Sequence, residues 1–251
     1  MVVQAKDVEV SFKKENQKRI FGKERQQVLK RVDLSLYKGE CVGVVGESGS
    51  GKSTFGHVLT GFLKPDTGRV TIDGIDLYGT HFKEEKKILR NKISIVFQDY
   101  TSSVNPRFSV RDTIYESLRI KGHKKNSQTD EQIHNLLMQV GLSIDLMNRY
   151  PHELSGGQLQ RVCIARAIAL EPEVILFDEA VSSLDISTQI QVMDLLIDLK
   201  YKYDLSYIFI THDLTSITYL CDRVLFLNKG IVVEKSRAVD CYLNYSLNNA
   251  I

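Results

Sequence analysis

The chain has no tryptophan and only four prolines in 251 residues, and its charges nearly cancel, 33 Lys and Arg against 31 Asp and Glu. A net charge of +2 provides no basic field that would call for nucleic acid as a partner. No run of about 18 apolar residues occurs, so no segment reads as a bilayer-spanning helix. The N-terminus has no apolar core of a signal peptide. The four cysteines, Cys41, Cys163, Cys221 and Cys241, are scattered and form no C-x-x-C pair. That spacing argues against zinc and iron–sulfur sites. Cys41 and Cys163 stand in apolar contexts and read as small core residues. A reducing cytosol is the expected setting. The basic stretch from Lys13 to Lys30 is broken by Glu15 and Glu24 and reads as a solvated loop. What remains, 43% hydrophobic and 25% charged, is ordinary globular chain, enough for one large α/β domain with a subdomain.

Against that background one segment stands out. Gly46-Glu47-Ser48-Gly49-Ser50-Gly51-Lys52-Ser53 fits G-x-x-x-x-G-K-[ST], a loop that cradles phosphates. Its flanks agree. Cys41-Val42-Gly43-Val44-Val45 reads as a buried strand, and Thr54 to Thr60 continues as a helix. Glycines let the backbone approach an anion closely. Loop amides and the helix dipole then point at negative charge. Lys52 is expected to reach the β- and γ-phosphates of a nucleotide, and Ser53 to ligate Mg²⁺.

The rest of the chain gives a helix-flanked parallel sheet with antiparallel β structure on its N-terminal side. Val8–Phe12 and Val28–Leu36 alternate and read as strands. Asp66-Thr67-Gly68 and Asp73-Gly74 flank a hairpin strand, Arg69–Ile72. Ile93–Phe97 is another short β-type run. From about Ser109 to Ala169 the pattern is helical, with Ile133, Leu136, Leu137 and Val140 at helix spacing and Gly141 as a stop. Leu159 to Leu170 reads as a helix. Val174–Phe177 is a continuous apolar strand of central type. A helix from about Ile186 to Lys200 follows, with Ile190, Met193, Ile197 and neighbours on its apolar side. Tyr207–Ile210 is one more buried strand. Val224–Leu227 and Ile231–Val233 close the pattern as a hairpin around Asn228-Lys229-Gly230. The expected division is a core with its β subdomain over 1–98 and 171–251, and a helical subdomain over 99–170.

A phosphate loop alone does not make a hydrolase. An acid at a strand end is also needed to organise the metal. Asp178 follows Phe177 directly and can hold Mg²⁺ or a metal-bound water. Glu179 comes next and is the candidate to polarise the attacking water. His212 ends the Tyr207–Ile210 strand region, where parallel sheets bind ligands. It can contact the γ-phosphate, or hold the water and Glu179. Gln98 ends another strand and can ligate Mg²⁺ or the water. Leu154-Ser155-Gly156-Gly157-Gln158 precedes the Leu159 helix, with Ser155 as N-cap and glycines exposing amides. This is a second anion site far along the chain from the first. One nucleotide rarely needs both in one subunit, so Ser155, Gly156, Gly157 and Gln158 are expected to meet a phosphate held by another subunit, with a plain helix cap as the other reading.

The order of these segments resembles the nucleotide-binding subunit of ATP-binding-cassette (ABC) transporters, a P-loop NTPase fold with an inserted helical subdomain. The resemblance covers nearly the whole chain. Residues 46–53, with Thr54, resemble the family's Walker A, Gln98 its Q-loop and Leu154–Gln158 its signature. Val174–Glu179 resemble Walker B, Ser183-Leu184-Asp185 the D-loop, and His212 the switch histidine. The family implies ATP and Mg²⁺, with each ATP held between Walker A of one cassette and the signature of another. It also implies that cassette closure drives integral-membrane permease subunits. The chain would sit peripherally on the cytoplasmic face of the membrane. An aromatic on the first strand stacks on adenine in such ATPases; Phe12 holds that place, with a core or edge-strand aromatic as the other reading and Phe21 as fallback. Phe97–Arg107 resembles importers of peptides and nickel, and Gln158–Cys163 and Asp178–Ser182 are nearer the nickel importers. Ala180-Val181 stand where most relatives have Pro-Thr. The resemblance thus implies an ATPase for uptake of nickel or a related metal chelate, a non-identical second ATPase subunit, and an extracellular solute-binding protein acting indirectly. The alternatives are a di- or oligopeptide importer, a soluble ABC ATPase acting on ribosomes or DNA, and a small-molecule P-loop kinase.

Overall fold

The computed structural model describes residues 1–13, 25–79, 88–89 and 91–238. Glu15, Phe21, Glu24 and Cys241 lie outside the described residues. The described elements begin with β1 (Val3–Lys13), β2 (Arg25–Leu36), β3 (Cys41–Val45), α1 (Lys52–Leu59), β4 (Thr67–Ile72) and β5 (Ile75–Asp76). They continue with β6 (Ile93–Val96), α2 (Val110–Ile120), α3 (Ser127–Gln139), α4 (Gly156–Ile168), β7 (Val174–Asp178) and α5 (Ile186–Tyr203). The last are β8 (Ser206–Thr211), α6 (Leu214–Leu220), β9 (Arg223–Asn228) and β10 (Ile231–Arg237). None of the described helices is long and apolar enough to cross a membrane. The chain divides into two compact units, Met1–Arg90 with Ile208–Ile251, and Asn91–Tyr207.

In the first unit an antiparallel sheet runs in the order β2-β1-β4-β5. Strand β1 lies between two neighbours, with Val3 opposite both Leu36 and Ile72. Its alternation puts Val3, Ala5, Val8 and Val10 into the core. The strand begins five residues earlier than its alternation suggested, because Val3 and Ala5 are paired on both sides. Strand β3 runs parallel to β9, Val42 beside Arg223 and Val45 beside Phe226. All five β3 residues are buried, which is why it reads as an unbroken apolar run. Strands β9 and β10 form the closing hairpin. The Arg223 guanidinium grips both Glu40 oxygens, and this pairing raises the Arg223 pKa. Cys41 and Cys221 are buried free thiols with their sulfurs 3.4 Å apart.

In the second unit β6 and β7 pair in parallel, Ile93 with Val174 and Val96 with Phe177. Helices α2, α3 and α4 bury Ile114, Ile133, Leu137, Val162 and Ile164. Ser109 caps α2 through the amide of Asp112, and Asn126 caps α3 through that of Thr129. A two-pronged Arg111–Asp130 pair at 2.6 and 2.8 Å joins α2 to α3. Cys163 is buried as expected, and burial pushes its thiol pKa up.

Helix α5 corrects the sequence reading. Its buried residues are Val192, Met193, Leu196 and Leu199, whereas Ile190 is 43% exposed and Ile186 is 78% exposed. The helix is apolar around much of its girth, so periodicity alone offers two stripes. Packing selected the i, i+4, i+7 set beginning at Val192. Met193 was common to both stripes; Ile190 and Ile197 were not in the buried set.

Candidate nucleotide site

The phosphate loop leaves β3 at Val45 and enters α1 at Lys52. The cap residue of α1, Gly51, has φ +107°, a conformation that L side chains rarely adopt. No side chain caps this helix, and no acid lies in its first turn. A helix start built this way presents backbone donors and positive potential to an anion. Gly46 is needed for a different reason. A Cβ there would stand 2.1 Å from the Leu227 carbonyl and 2.6 Å from the Ser50 hydroxyl.

Lys52 is 4% exposed and folds over its own loop. Its ammonium donates to the carbonyls of Gly46 at 2.8 Å and Glu47 at 3.0 Å. The Ser50 hydroxyl is buried without a hydrogen-bond partner. Glu47, Ser48, Gly49 and Ser53 are exposed, and Thr54 is half-buried. One support escaped the sequence reading. The amide of Gly230 donates to the Ser50 carbonyl at 2.9 Å, and the Gly230 carbonyl accepts from the Lys30 amide at 2.8 Å. Gly230 had read only as a hairpin turn. It is also the strut that holds the phosphate loop to β2, and a Cβ on it would lie 2.1 Å from the Val28 carbonyl.

Two further candidates belong to this first unit. Phe12 is 44% exposed near the end of β1, opposite Gln26. His212 is exposed directly after β8. Its backbone is fixed on both sides. Thr211 is buried in the strand, and Asp213 caps α6 by accepting from the amides of Thr215 and Ser216. Burial works to raise the Asp213 pKa, but the Ser216 hydroxyl and these two amides outweigh it and the net shift is downward.

The second unit brings Gln98, Asp178 and Glu179 together. Asp178 ends β7 and is 8% exposed. Glu179 follows with φ +47°, a left-handed backbone uncommon for a residue with a side chain. Its carbonyl accepts from the amide and hydroxyl of Ser182, which fixes the turn. Gln98 donates from Nε2 to Glu179 Oε2 at 3.0 Å. A cleft of about 350 Å³ beside them is lined by Phe97, Gln98, Asp99, Ser102, Ser103 and Asp178. Ala180 and Val181, the departures from the family pattern, are buried and carry no polar side-chain group into the site.

The Ser155 segment also lies in the second unit. Ser155 caps α4, accepting from the Gln158 amide at 3.3 Å, while Gln158 Oε1 accepts from the Ser155 amide at 2.9 Å. This reciprocal box was legible as S-x-x-Q, although the sequence reading assigned Gln158 only to the nucleotide. The flanking glycines are hemmed in. A Cβ on Gly156 would stand 2.7 Å from the Tyr100 hydroxyl, and one on Gly157 would stand 2.5 Å from Thr188 Cγ2. Thr188 in turn is bound to Asp185, the cap of α5, by its amide and hydroxyl. Those bonds, the hydroxyl first, draw the Asp185 pKa down to about 2.

The sequence profile of the ABC transporter family matches residues 29–182. The metal-staphylopine import system ATP-binding protein CntF of Staphylococcus aureus is 42% identical over 234 residues, 93% of this chain and 90% of that protein. The oligopeptide transport ATP-binding protein OppF of Salmonella typhimurium is 45% identical over 223 residues, 87% of this chain and 66% of that protein. Among solved structures, cbiO1 of Clostridium perfringens, part of the ABC transporter complex cbiONQ, superposes with a TM-score of 0.82 at 25% identity, covering 98% of this chain and 92% of that one. The ATP-binding cassette MJ0796, a dimer in a post-hydrolysis state with ADP and Pi, gives 0.81 at 31% identity, covering 94% and 98%. An uncapped glycine loop, a buried strand-end aspartate with its neighbouring glutamate, and these likenesses agree: the chain belongs to the ABC transporter family, as an ATP-binding and ATP-hydrolysing subunit of P-loop fold.

Proposed function

We propose that this subunit hydrolyses ATP to drive uptake of a chelated transition metal through integral-membrane permease subunits. It works beside a second, non-identical cassette, peripherally on the cytoplasmic face of the membrane. An extracellular solute-binding protein delivers the cargo. The observation that carries the cargo assignment is the 42% identity to CntF along nine-tenths of both chains. The 45% identity to OppF supports a peptide as the second reading.

In this reading Lys52 leaves the carbonyls of Gly46 and Glu47 for the β- and γ-phosphates. The amides of residues 46–54 hold the remaining phosphate oxygens, and Phe12 stacks on the adenine. Ser53, Gln98 and Asp178 are the proposed Mg²⁺ ligands. Their fit is chemical: all three offer oxygen, the donor this hard cation prefers. With Nε2 of Gln98 engaged by Glu179, Oε1 is its atom left for a cation. Mg²⁺ would neutralise charge on the phosphoryl oxygens. Glu179 accepts the proton of the attacking water, and Gln98 fixes its carboxylate. His212 contacts the γ-phosphate side of the reacting group. Ser155, Gly156, Gly157 and Gln158 complete the nucleotide held by the second cassette, as the dimeric state of MJ0796 with ADP and Pi supports.

The test is transport in proteoliposomes containing the whole importer. Nickel presented with staphylopine should accumulate only with ATP, and a Glu179→Gln subunit should stop it. Uptake of labelled oligopeptides, with no uptake of the metal chelate, would overturn the cargo assignment in favour of the second reading.

A further inference from the structure

Two thiols meet in the first unit, at the end of β3 opposite the phosphate loop. Cys41 opens β3, and Cys221 is the C-cap of α6. Their sulfurs stand 3.4 Å apart although 180 positions separate them along the chain. The backbone on each side is held. The Cys41 carbonyl accepts from the Asp222 amide at 2.8 Å, and the Cys41 amide donates to the Asp222 carboxylate at 2.8 Å. The Cys221 amide donates to the Ile217 carbonyl at 2.8 Å. Helix α6 also sits tightly on β3: a Cβ on Gly43 would stand 2.4 Å from Ile217 Cδ1 and 3.2 Å from the Cys221 sulfur.

This placement suits a bond between the two sulfurs. The register that sets Val42 beside Arg223 continues to Cys41 beside Asp222, so Cys221 is the diagonal neighbour of Cys41. Cys221 is itself extended, with φ −95° and ψ 148°. Strands about 4.8 Å apart, rising about 3.3 Å per residue, put such a diagonal pair of Cα atoms roughly 6 Å apart. Disulfides bridge Cα atoms about 4.4–6.8 Å apart. The two side chains therefore need only turn about their own bonds to join. Access is narrow. Cys41 is fully buried, and Cys221 is 8% exposed. An oxidant that reaches the pair must be small and must meet Cys221 first.

We propose that Cys41 and Cys221 form a modification site, a dithiol that hydrogen peroxide converts to an intramolecular disulfide. The Cys221 sulfur attacks a peroxide oxygen and the O–O bond breaks. One water leaves, and Cys221 becomes a sulfenic acid. The Cys41 sulfur then displaces that oxygen: the S–S bond forms, the S–O bond breaks, and the second water carries off the Cys41 thiol proton. The two thiols lose two electrons and two protons, and the peroxide takes them up to become two waters. A dithiol reductant reopens the bond by exchange. The link clasps α6 to β3 and closes a long loop, so the oxidised chain resists unfolding more than the reduced one.

The experiment exposes the full-length chain to hydrogen peroxide, unfolds it, blocks remaining thiols with N-ethylmaleimide and maps its peptides. A peptide joining Cys41 to Cys221 should appear, with Cys163, buried in the second unit, alkylated as a thiol. The urea midpoint should rise by about 1–2 M and fall back after dithiothreitol. Cys41→Ala should abolish the joined peptide and the shift, and should leave a sulfenic acid on Cys221 that dimedone traps. Cys221→Ser should abolish both and leave Cys41 a thiol. The comparison of oxidised with reduced parent chain needs neither substitution. Cys41 and Cys221 both recovered as thiols would overturn the proposal, and so would a sulfinic acid on Cys221 without the joined peptide. A peptide joining either cysteine to Cys241 instead would overturn the pairing. A joined peptide with an unchanged or lowered midpoint would overturn the clasp.

Discussion

Two helix starts in this chain carry glycines and face opposite fates. Helix α1 has no side-chain cap, and a glycine at φ +107° opens it. Helix α4 is closed by its own Ser155 and Gln158. The first cannot satisfy its donors with side chains and is made for an anion that arrives from outside. The second satisfies the amides of Ser155 and Gln158 with their own side chains, so an anion there adds to an end already partly capped. The contrast extends to the units that hold them. In the proposed reading the first unit holds the phosphates through Lys52 and its loop, and the second carries Gln98, Asp178 and Glu179 for turnover.

That division can be broken by measurement. The largest effect belongs to the second unit. Glu179→Gln should lower kcat by about 10²- to 10⁴-fold, the usual worth of a general base, with ATP affinity nearly unchanged. Steady-state rates beside equilibrium ATP binding check it, and normal turnover would remove Glu179 from the chemistry. Lys52→Ala should do the reverse in the first unit. Losing a buried ammonium from the phosphates should weaken ATP binding about 10- to 100-fold, as titration would show. Gly230→Ala sharpens the comparison, because it lies far from any phosphate by sequence. The added carbon meets the Val28 carbonyl at 2.1 Å and φ is +80°. It should destabilise the chain by about 2–4 kcal/mol in urea unfolding and weaken ATP binding through Ser50. A variant as stable as the parent would mean that the strut bears no load.

The smallest effect is a pH dependence. The Thr101 hydroxyl first, then the Ser102 amide and hydroxyl, lower the Asp99 pKa from 3.8 to about 2. A carboxyl depressed in the folded state stabilises above its unfolded value and ceases to as pH falls through its folded one. Its contribution is therefore present above about pH 4 and fades between 3.8 and about 2. Asp99→Asn should flatten the fall of the urea midpoint across that window and leave neutral pH turnover close to the parent. An identical acid slope in the variant would show that the turn is held by other bonds.

Much of this was readable in the residues. The β3 and β7 strands were placed by continuous apolar runs, β3 with both ends as found and β7 one residue short of its end at Asp178, and the phosphate loop was placed by its glycine–lysine pattern. Those signals are local, and a buried strand has no competing pattern of similar length. The face of α5 was misplaced because Ile190 and Ile197 are as apolar as the residues that packed. Which stripe is buried is decided by partners distant in sequence, and no window on the helix contains them. Tyr100, Arg166 and Gly230 were missed for the same reason. Each acts across a long gap: Tyr100 on Gly156, Arg166 on Ser103, Gly230 on Ser50. The positive φ of Glu179 had no signal in composition, since glutamate is not a residue that favours it.

Gly230 has a consequence for how the molecule is born. Its bond to Ser50 joins positions 180 residues apart, so the phosphate loop leaves the ribosome long before its fastening exists. At about 5–20 residues per second, the interval is roughly 10–40 s. During that time the nascent loop must wait without its strut, and competence to hold ATP is acquired only when the closing hairpin folds back. A subunit of this kind would be unable to bind ATP firmly, and so to be recruited by it, before the hairpin that carries Gly230 has been made.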